Sequence, residues 1–480
     1  MAEATEEGDG TFSRHFTRHH VFSKSSPGKI DQFYDMPKGA MGEGSYGTVY
    51  KAKAKGSSDV RAIKSIPLAK IKDVGRFEEE VSIQQSLDHP NIVKLYEVYR
   101  DAKYCYLVME LCTGGELFDR IIEQTELGTG MAFGEKDAAV YMNQILGAMN
   151  YLHKKHFVHR DIKPENFLME HGEPTAQCKV IDFGLAKKYK EGDPKMMTQA
   201  GTPYYVAPEV LLNKGYTEKC DVWSSGVICY ILMCGYPPFY GDNDRQILAM
   251  VKKGNFDFPA DKKKPDEWDW DSASDQCKNF IRSMLTLDYL KRPSFEDLLQ
   301  TDWLVSNDLT TKGKVAADLG ARLRGFRGTS KLKKLALTCI AKQMNDSAME
   351  ELKATFRALD VNKDGTLTVK EILDGMKAHN VRIHDDLPLD LEKLDTDGSG
   401  SIDYLEFMAA TLTKAQLSND EALWSAFRVF DIDGDGEINY DELKQVSGVD
   451  AAEIERMLAE GDLDGNGTIS FDEFKKLVRG

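Results

Sequence analysis

The sequence predicts a multidomain α+β protein, in which a small sheet-rich lobe and a larger helical lobe precede an all-α region. Three observations predict this. Short β-type runs such as Tyr104–Met109 come first, and long helical runs such as Ala138–His153 follow. The last third carries four twelve-residue loops, which open at Asp360, Asp395, Asp431 and Asp462 and close at Glu371, Glu406, Glu442 and Glu473. From Asn345 onward there are 31 Asp and Glu against 14 Lys and Arg, out of 78 and 62 in all, so the upstream part, with 47 and 48, is nearly neutral.

Composition bounds the class. The 480 residues leave room for about three domains of ordinary size. An apolar content of 41% and a charged content of 29% fit a soluble globular chain. Acidity concentrated in one region argues against nucleic-acid binding. The eight Cys form no CxxC pair, which points to a reducing, cytoplasmic setting, with nuclear or peripheral-membrane placement left open. No apolar run approaches the roughly 18 residues of an integral membrane segment. Ala2 stands where N-myristoylation needs a glycine, so that pattern is absent. A monomer is expected.

The elements follow in order. Residues 1–29 are polar, with little apolar periodicity, and are expected to form a flexible tail. Residues 30–303 hold the two lobes, joined near Glu110–Cys112. Residues 304–344 form a basic junction. In it Leu332, Leu335, Cys339 and Ile340 recur at helical spacing beside Lys331, Lys333 and Lys334. An amphipathic basic helix of this kind suits an apolar groove in an acidic partner, although a solvated linker helix has the same composition. Residues 345–480 contain the four loops, which start 35, 36 and 31 residues apart, the period of EF-hands.

The two lobes carry a phosphoryl-transfer constellation. Gly42-Glu43-Gly44-Ser45-Tyr46-Gly47-Thr48-Val49 matches G-x-G-x-x-G-x-V, in which glycines let backbone lie close over phosphates. Alone, such a loop is weak evidence. Lys64, on a strand about twenty residues later, can neutralise α- and β-phosphates, and Glu80 is the candidate that orients it. His159-Arg160-Asp161-Ile162-Lys163-Pro164-Glu165-Asn166 is far more specific. There Asp161 suits the proton of an attacking hydroxyl, Asn166 a metal ion and Lys163 the transferred group. Asp182, opening Asp-Phe-Gly, adds a carboxylate for Mg²⁺. Ala207-Pro208-Glu209 closes the activation segment, with Arg292 the expected ion-pair partner of Glu209.

Each acidic loop offers a Ca²⁺ cage. The first has Asp360, Asn362, Asp364, the Thr366 carbonyl, Thr368 and Glu371. The second has Asp395, Asp397, Ser399, the Ser401 carbonyl, Asp403 and Glu406. The third has Asp431, Asp433, Asp435, the Glu437 carbonyl, Asn439 and Glu442. The fourth has Asp462, Asp464, Asn466, the Thr468 carbonyl, Ser470 and Glu473. All four carry Gly at position six and an aliphatic at eight, the geometry that wraps six to eight oxygens around one ion.

With these motifs, residues 30–303 resemble a bilobal eukaryotic protein kinase domain of the calcium/calmodulin-kinase group. Residues 30–480 together resemble the calcium-dependent protein kinases of plants and protists, with a calmodulin-like domain of four EF-hands after the junction. Phrases such as Asp88-His-Pro-Asn-Ile92 and Gly201-Thr-Pro-Tyr-Tyr-Val-Ala-Pro-Glu209 carry that likeness. It implies ATP, Mg²⁺ and Ca²⁺ as cofactors and a Ser/Thr specificity marked by Lys163. It implies that Met109 is the gatekeeper beside the adenine and that Glu110 and Cys112 are hinge residues. Glu116 and Glu165 would meet a basic residue upstream of the phosphorylated Ser or Thr. The junction would block the kinase at low calcium and be captured by the EF-hands at high calcium, with Arg322–Arg327 as a substrate mimic. In the activation segment, Glu191 or Asp193 is expected to meet Arg160, making Thr198 phosphorylation dispensable. A catalytically dead scaffold, or a kinase whose EF-hands only buffer calcium, stay open as other readings.

Overall fold

The computed structural model describes residues 29–44, 47–126, 133–173, 176–198, 201–212, 215–259, 270–307, 315–344, 346–383, 387–392, 394–395 and 399–480. The expected tail, apart from Lys29, lies outside them, as do Ser45, Tyr46 and Asp397.

The small lobe is a six-stranded antiparallel sheet of β1 (Tyr34–Asp35), β2 (Gly42–Glu43), β3 (Thr48–Ala54), β4 (Val60–Pro67), β5 (Leu95–Arg100) and β6 (Tyr104–Met109). Its order is β1-β3-β4-β6-β5, with β2 folded onto β3. Register does the functional work here. Val49 lies opposite Lys64, and Gly42 opposite Val49, so the Gly-rich hairpin sits above the lysine. Gly47 is required for packing, because a Cβ there would run into the Ser65 carbonyl. The β5–β6 turn is held by Asp101, whose Oδ1 accepts from the Lys103 and Tyr104 amides at 2.7 Å each. Helix Val74–Ser86 starts at Asp73, which accepts from the Arg76 amide. It carries Glu80 towards the lobe cleft.

The large lobe is built on two long helices, Glu135–Lys154 and Lys219–Cys234. The second is buried from Cys220 to Cys234, as its nearly unbroken apolar run requires. All eight cysteines are buried, and among the described residues no disulfide joins any two of them; they behave as small apolar groups. Among the described residues no helix is long and apolar enough to cross a membrane.

The C-terminal region pairs its loops two by two. Thr366–Leu367 pairs with Ile402–Asp403, and Glu437–Ile438 with Ile469–Ser470, so the position-eight aliphatics face one another across each short ladder. Its core includes Phe356, Phe407, Phe427, Phe430 and Phe474. The junction belongs to that same core. Helix Lys331–Gln343, capped by Ser330, buries Leu332, Leu335, Cys339 and Ile340 among the EF-hand helices. Helix Leu319–Arg327 adds Leu319, Leu323 and Phe326.

This region lies against both lobes. On the small lobe, Arg428 stacks 4.1 Å from the Phe33 ring and donates to the Tyr99 hydroxyl, while Arg61 donates to the Gln343 carbonyl at 2.6 Å. On the large lobe, Lys154 pairs with Asp364 at 2.8 Å and Lys353 with Glu170 at 3.4 Å. Between them His89 is sealed under Gly365 and Tyr151. Its ring accepts from the Asn91 amide, and burial lowers its pKa to about 3.

That burial predicts a pH dependence. His89 is neutral when folded and protonates near pH 6.5 when unfolded, so the unfolded state binds the extra proton and stability falls as pH drops from about 6.5 towards 3. Between pH 7 and 5 the loss from this residue is about 2 kcal/mol. His89→Asn should reduce the measured pH 7-to-5 loss by that amount in denaturant titrations; an identical loss in both proteins contradicts the assignment.

Candidate active site and calcium loops

The catalytic loop is held from below by one buried carboxylate. Asp221, fully enclosed, accepts from the His159 and Arg160 amides at 2.8 Å each and bonds the His153 ring at 2.9 Å. Burial alone would raise its pKa, but the His153 bond, the two histidines and the Arg160 amide outweigh it and hold the carboxyl low. These bonds fix Arg160 at φ 69°, a left-handed conformation that tips the next residue into the cleft. Asp221 carried no expected role. Its signal was available as a lone acid inside the apolar run 219–234.

Asp161 then meets two neighbours. Its Oδ2 lies 3.1 Å from Lys163 Nζ, and its Oδ1 accepts from the Thr202 hydroxyl at 3.1 Å. Lys163 also donates to Thr202 at 3.3 Å, closing a triangle. Thr202 is a second residue without an expected role, although it lies in the quoted phrase beginning at Gly201. Asn166 gives its amide nitrogen to the Asp161 carbonyl at 2.7 Å, leaving its oxygen for a cation. Asp182 adopts φ 72° and accepts from the Gly184 amide at 3.0 Å.

Two expectations are corrected. Lys64 and Glu80 face each other, but among the described residues no close ion pair joins them. The Glu80 carboxyl instead stands beside Gly184 and Asp182, and its pKa is raised by burial, with Asp182 adding to the rise and Lys64 opposing it. The physical reason is position: Arg76, one turn earlier on the same helix, bonds the Gly184 carbonyl at 2.8 Å and ties that helix to the Asp-Phe-Gly turn. The second concerns Arg160. Among the described residues neither Glu191 nor Asp193 reaches it. Arg160 donates to the Leu185 carbonyl at 2.6 Å and to the Tyr216 hydroxyl at 3.2 Å, and Tyr216 donates to the Thr198 carbonyl at 2.7 Å. Asp193 is spent capping its own turn through the Lys190 amide.

The Glu209–Arg292 pair is present, buried and two-pronged at 2.6 and 2.8 Å. At the hinge, Met109 ends β6, and the Glu110 side chain turns inward to Lys179 at 2.5 Å. Cys112 is buried just beyond. Glu116 stands with Asp119 and Glu165. Burial raises its pKa, those two acids raise it further, and Lys163 opposes them. The Glu165 Oε2 atom is buried with no hydrogen-bond partner among the described residues. By contrast, Arg322 lies away from these acids, bonded to Asp318 and the Thr411 carbonyl.

The calcium loops differ in how fully they close. In loop three Asp431, Asp433 and Asp435 converge to within 4.8 Å, and in loop four Asp462, Asp464 and Glu473 do the same. Glu442 and Glu473 fold back over their loops, each accepting three backbone amides, at 2.7–3.2 Å and 2.8–3.2 Å. In loop one, Asp360 is buried. Desolvation raises its pKa, with Asp364 and Glu371 adding like-charge repulsion that a divalent cation would relieve. In loop two, Asp395 accepts from the Ser399 and Gly400 amides at 2.9 and 2.7 Å. Within the loops the Thr366, Glu437 and Thr468 amides donate to Asp364, Asp435 and Asn466 at 2.9 Å each, Asn362 donates to Asp364 at 3.0 Å, the Ser399 hydroxyl donates to the Ser401 carbonyl at 2.9 Å, and Glu406 accepts from the Asp403 amide at 3.0 Å.

Comparison with known proteins matches these two regions. A protein kinase domain family covers residues 36–304, and an EF-hand domain pair covers residues 349–412 and again 420–479. The chain is 42% identical over 429 residues to calcium-dependent protein kinase 3 of Plasmodium yoelii yoelii, across 89% of this chain and 77% of that one. It is 41% identical over 429 residues to calcium-dependent protein kinase 5 of Plasmodium falciparum, across 89% and 73%. It is 38% identical over 443 residues to calcium-dependent protein kinase 21 of Arabidopsis thaliana, across 90% and 80%.

The Arg160–Tyr216–Thr198 chain makes a direct prediction. Thr198 contributes its carbonyl, which Ala retains, so Thr198→Ala should keep peptide phosphorylation within about twofold, whereas Tyr216→Phe strips a bond from a charged group and should lower kcat about tenfold. A tenfold loss in Thr198→Ala would point instead to a phosphorylated hydroxyl.

Proposed function

The chain belongs to the calcium-dependent protein kinases, Ser/Thr kinases that carry their own EF-hand pairs, and from that premise we propose how its residues divide the work. Asp161 takes the proton of the incoming Ser or Thr hydroxyl, and Thr202 holds that carboxylate in place. Lys163 lies on the transferred group's path. The hairpin strands Gly42–Glu43 and Thr48–Ala54 cover the phosphates, and Lys64 neutralises them. Met109, Glu110 and Cys112 form the adenine wall. Asn166 and Asp182 present oxygens that fit Mg²⁺. Mg·ATP, when bound, supplies an electrophilic γ-phosphorus, and these groups offset the negative charge on the phosphoryl oxygens around it.

The acidic corner sets the substrate. Glu165 Oε2 is buried without a partner, and Glu116 is held up by its acidic neighbours, so an arginine or lysine entering there relieves both. The preferred substrates are therefore proteins with a basic residue upstream of the acceptor.

One observation carries the regulatory reading: the junction helix is buried inside an EF-hand region that touches both lobes. With that helix captured, the groove near Glu116 and Glu165 is open. Four Ca²⁺ ions would offset the repulsion among the loop acids, which otherwise opposes this capture. Shifting such a switch from 1:99 to 99:1 takes about 5.5 kcal/mol, and four sites each preferring the captured state about tenfold supply roughly 1.4 kcal/mol apiece. Without calcium the loop acids repel, the junction is released, and its Arg322 and Arg324 become available to the acidic groove. Junction, loops and lobes lie on one chain, so a monomer suffices.

Two variants test the assignments. Asp161→Asn should abolish phosphate transfer while ATP binding persists, and retained turnover removes Asp161 from its role. Glu165→Gln should raise KM about tenfold for a peptide with an upstream arginine and leave a peptide without one unchanged. An equal effect on both peptides rejects the basic-residue contact.

A further inference from the structure

We propose that Ser58 is a phosphorylation site whose modification releases the EF-hand region from the small lobe. Ser58 lies exposed on the β3–β4 turn and is the tip of the lobe's contact with helix Asp420–Phe430. Its amide and its hydroxyl both donate to one oxygen of Glu421, at 2.9 and 2.7 Å. Ser57 beside it is buried, and its hydroxyl accepts from the Asp59 amide, so Ser58 carries the reachable oxygen.

The contact works only while Ser58 is a donor. A carboxylate can only accept, and a phosphoserine is itself an acceptor with a charge of roughly −1.5 to −2. A phosphate near a helix start can be welcome. Here it is not, because Asn419 already takes the Glu421 and Ala422 amides, and Asp420 beside Glu421 is engaged by Arg479. What faces Ser58 is the Glu421 carboxylate. Lys53 lies within electrostatic reach of Glu421, and a phosphate on its own lobe would compete for it. Lys55 is bonded to the Asp31 carbonyl at 2.5 Å and faces Asp35. The large-lobe contacts, Lys154–Asp364 and Lys353–Glu170, lie at the other end and are untouched.

The turn also fits the chain's own substrate chemistry, and this part rests on the acidic-corner reading above. Lys55 stands three residues before Ser58 and Lys53 five. The donor is Mg·ATP held by a second copy of this chain. Ser58 Oγ forms a bond to the γ-phosphorus as the bond from that phosphorus to the β–γ bridging oxygen breaks. ADP leaves with the electron pair, and the hydroxyl proton passes to the second copy's catalytic carboxylate. Because the hydroxyl is tied to Glu421 in the docked form, transfer occurs while the region is away from the lobe, and the added phosphate opposes its return.

The test uses the full chain. Asp161→Asn protein, as acceptor, is incubated with wild-type protein, Mg·ATP, a basic reporter peptide and sub-saturating calcium, and Ser58 is read by mass spectrometry. Phosphate on Ser58 is expected. Its absence while the peptide is phosphorylated overturns the site alone, whereas absence on both overturns the site together with the kinase assignment. In parallel, Ser58→Asp should raise the calcium needed for half-maximal activity about fivefold, and adding Glu421→Lys should restore it. An unshifted midpoint, or no restoration by Glu421→Lys, overturns the release.

Discussion

The apolar stripe of the junction helix can be covered by one surface at a time, and the rest of the molecule is arranged around that constraint. Leu332, Leu335, Cys339 and Ile340 are buried within the EF-hand core. Full burial of a large aliphatic side chain is worth about 1.5–3 kcal/mol as an upper figure. The three large aliphatics among them, Leu332, Leu335 and Ile340, together reach about 4.5–9 kcal/mol, on the scale of the roughly 5.5 kcal/mol needed to throw a two-state switch. Whichever surface holds the stripe therefore decides the state, and calcium needs only to tilt the balance between acidic loops that repel and loops that close.

The contact between the EF-hand region and the lobes is of a different kind. It consists of separate polar pairs, such as Arg428 with Tyr99, Arg61 with the Gln343 carbonyl and Lys154 with Asp364. Arg61, Tyr99, Gln343 and Asp364 are nearly enclosed in these contacts, and a hydrogen bond to a charged group is worth about 1.5–3 kcal/mol net, because both partners regain water on release. A docking surface made from them holds two lobes in register yet lets go without unfolding anything. Apolar capture of one helix and polar docking of the whole region give a device that is both decisive and reversible.

Much of this was legible in the sequence because local spacing encodes it. The Gly-rich hairpin, the run His159–Asn166 and the four acidic loops each keep their chemistry within about a dozen residues, so residue type and interval suffice. The junction helix was legible for the same reason, from its 3.6-residue apolar period. What escaped depends on contacts between distant residues of ordinary type. Asp221 works by accepting amides about sixty positions away. The Arg160 partner is a tyrosine rather than an acid, because the turn that holds Asp193 closes on itself. Glu80 was placed on the correct helix, but its distance from Lys64 depends on how that helix leans, which no spacing records.

The central claim joins calcium in the C-terminal loops to phosphate transfer in the lobes ahead of them. The most direct measurement is the initial rate of transfer from labelled ATP to a basic peptide by the full chain, across free calcium from EGTA to saturation. The account predicts a low rate in EGTA and a steep rise with a Hill slope above one, as several loops act on one captured helix. Equal rates in EGTA and saturating calcium would contradict it.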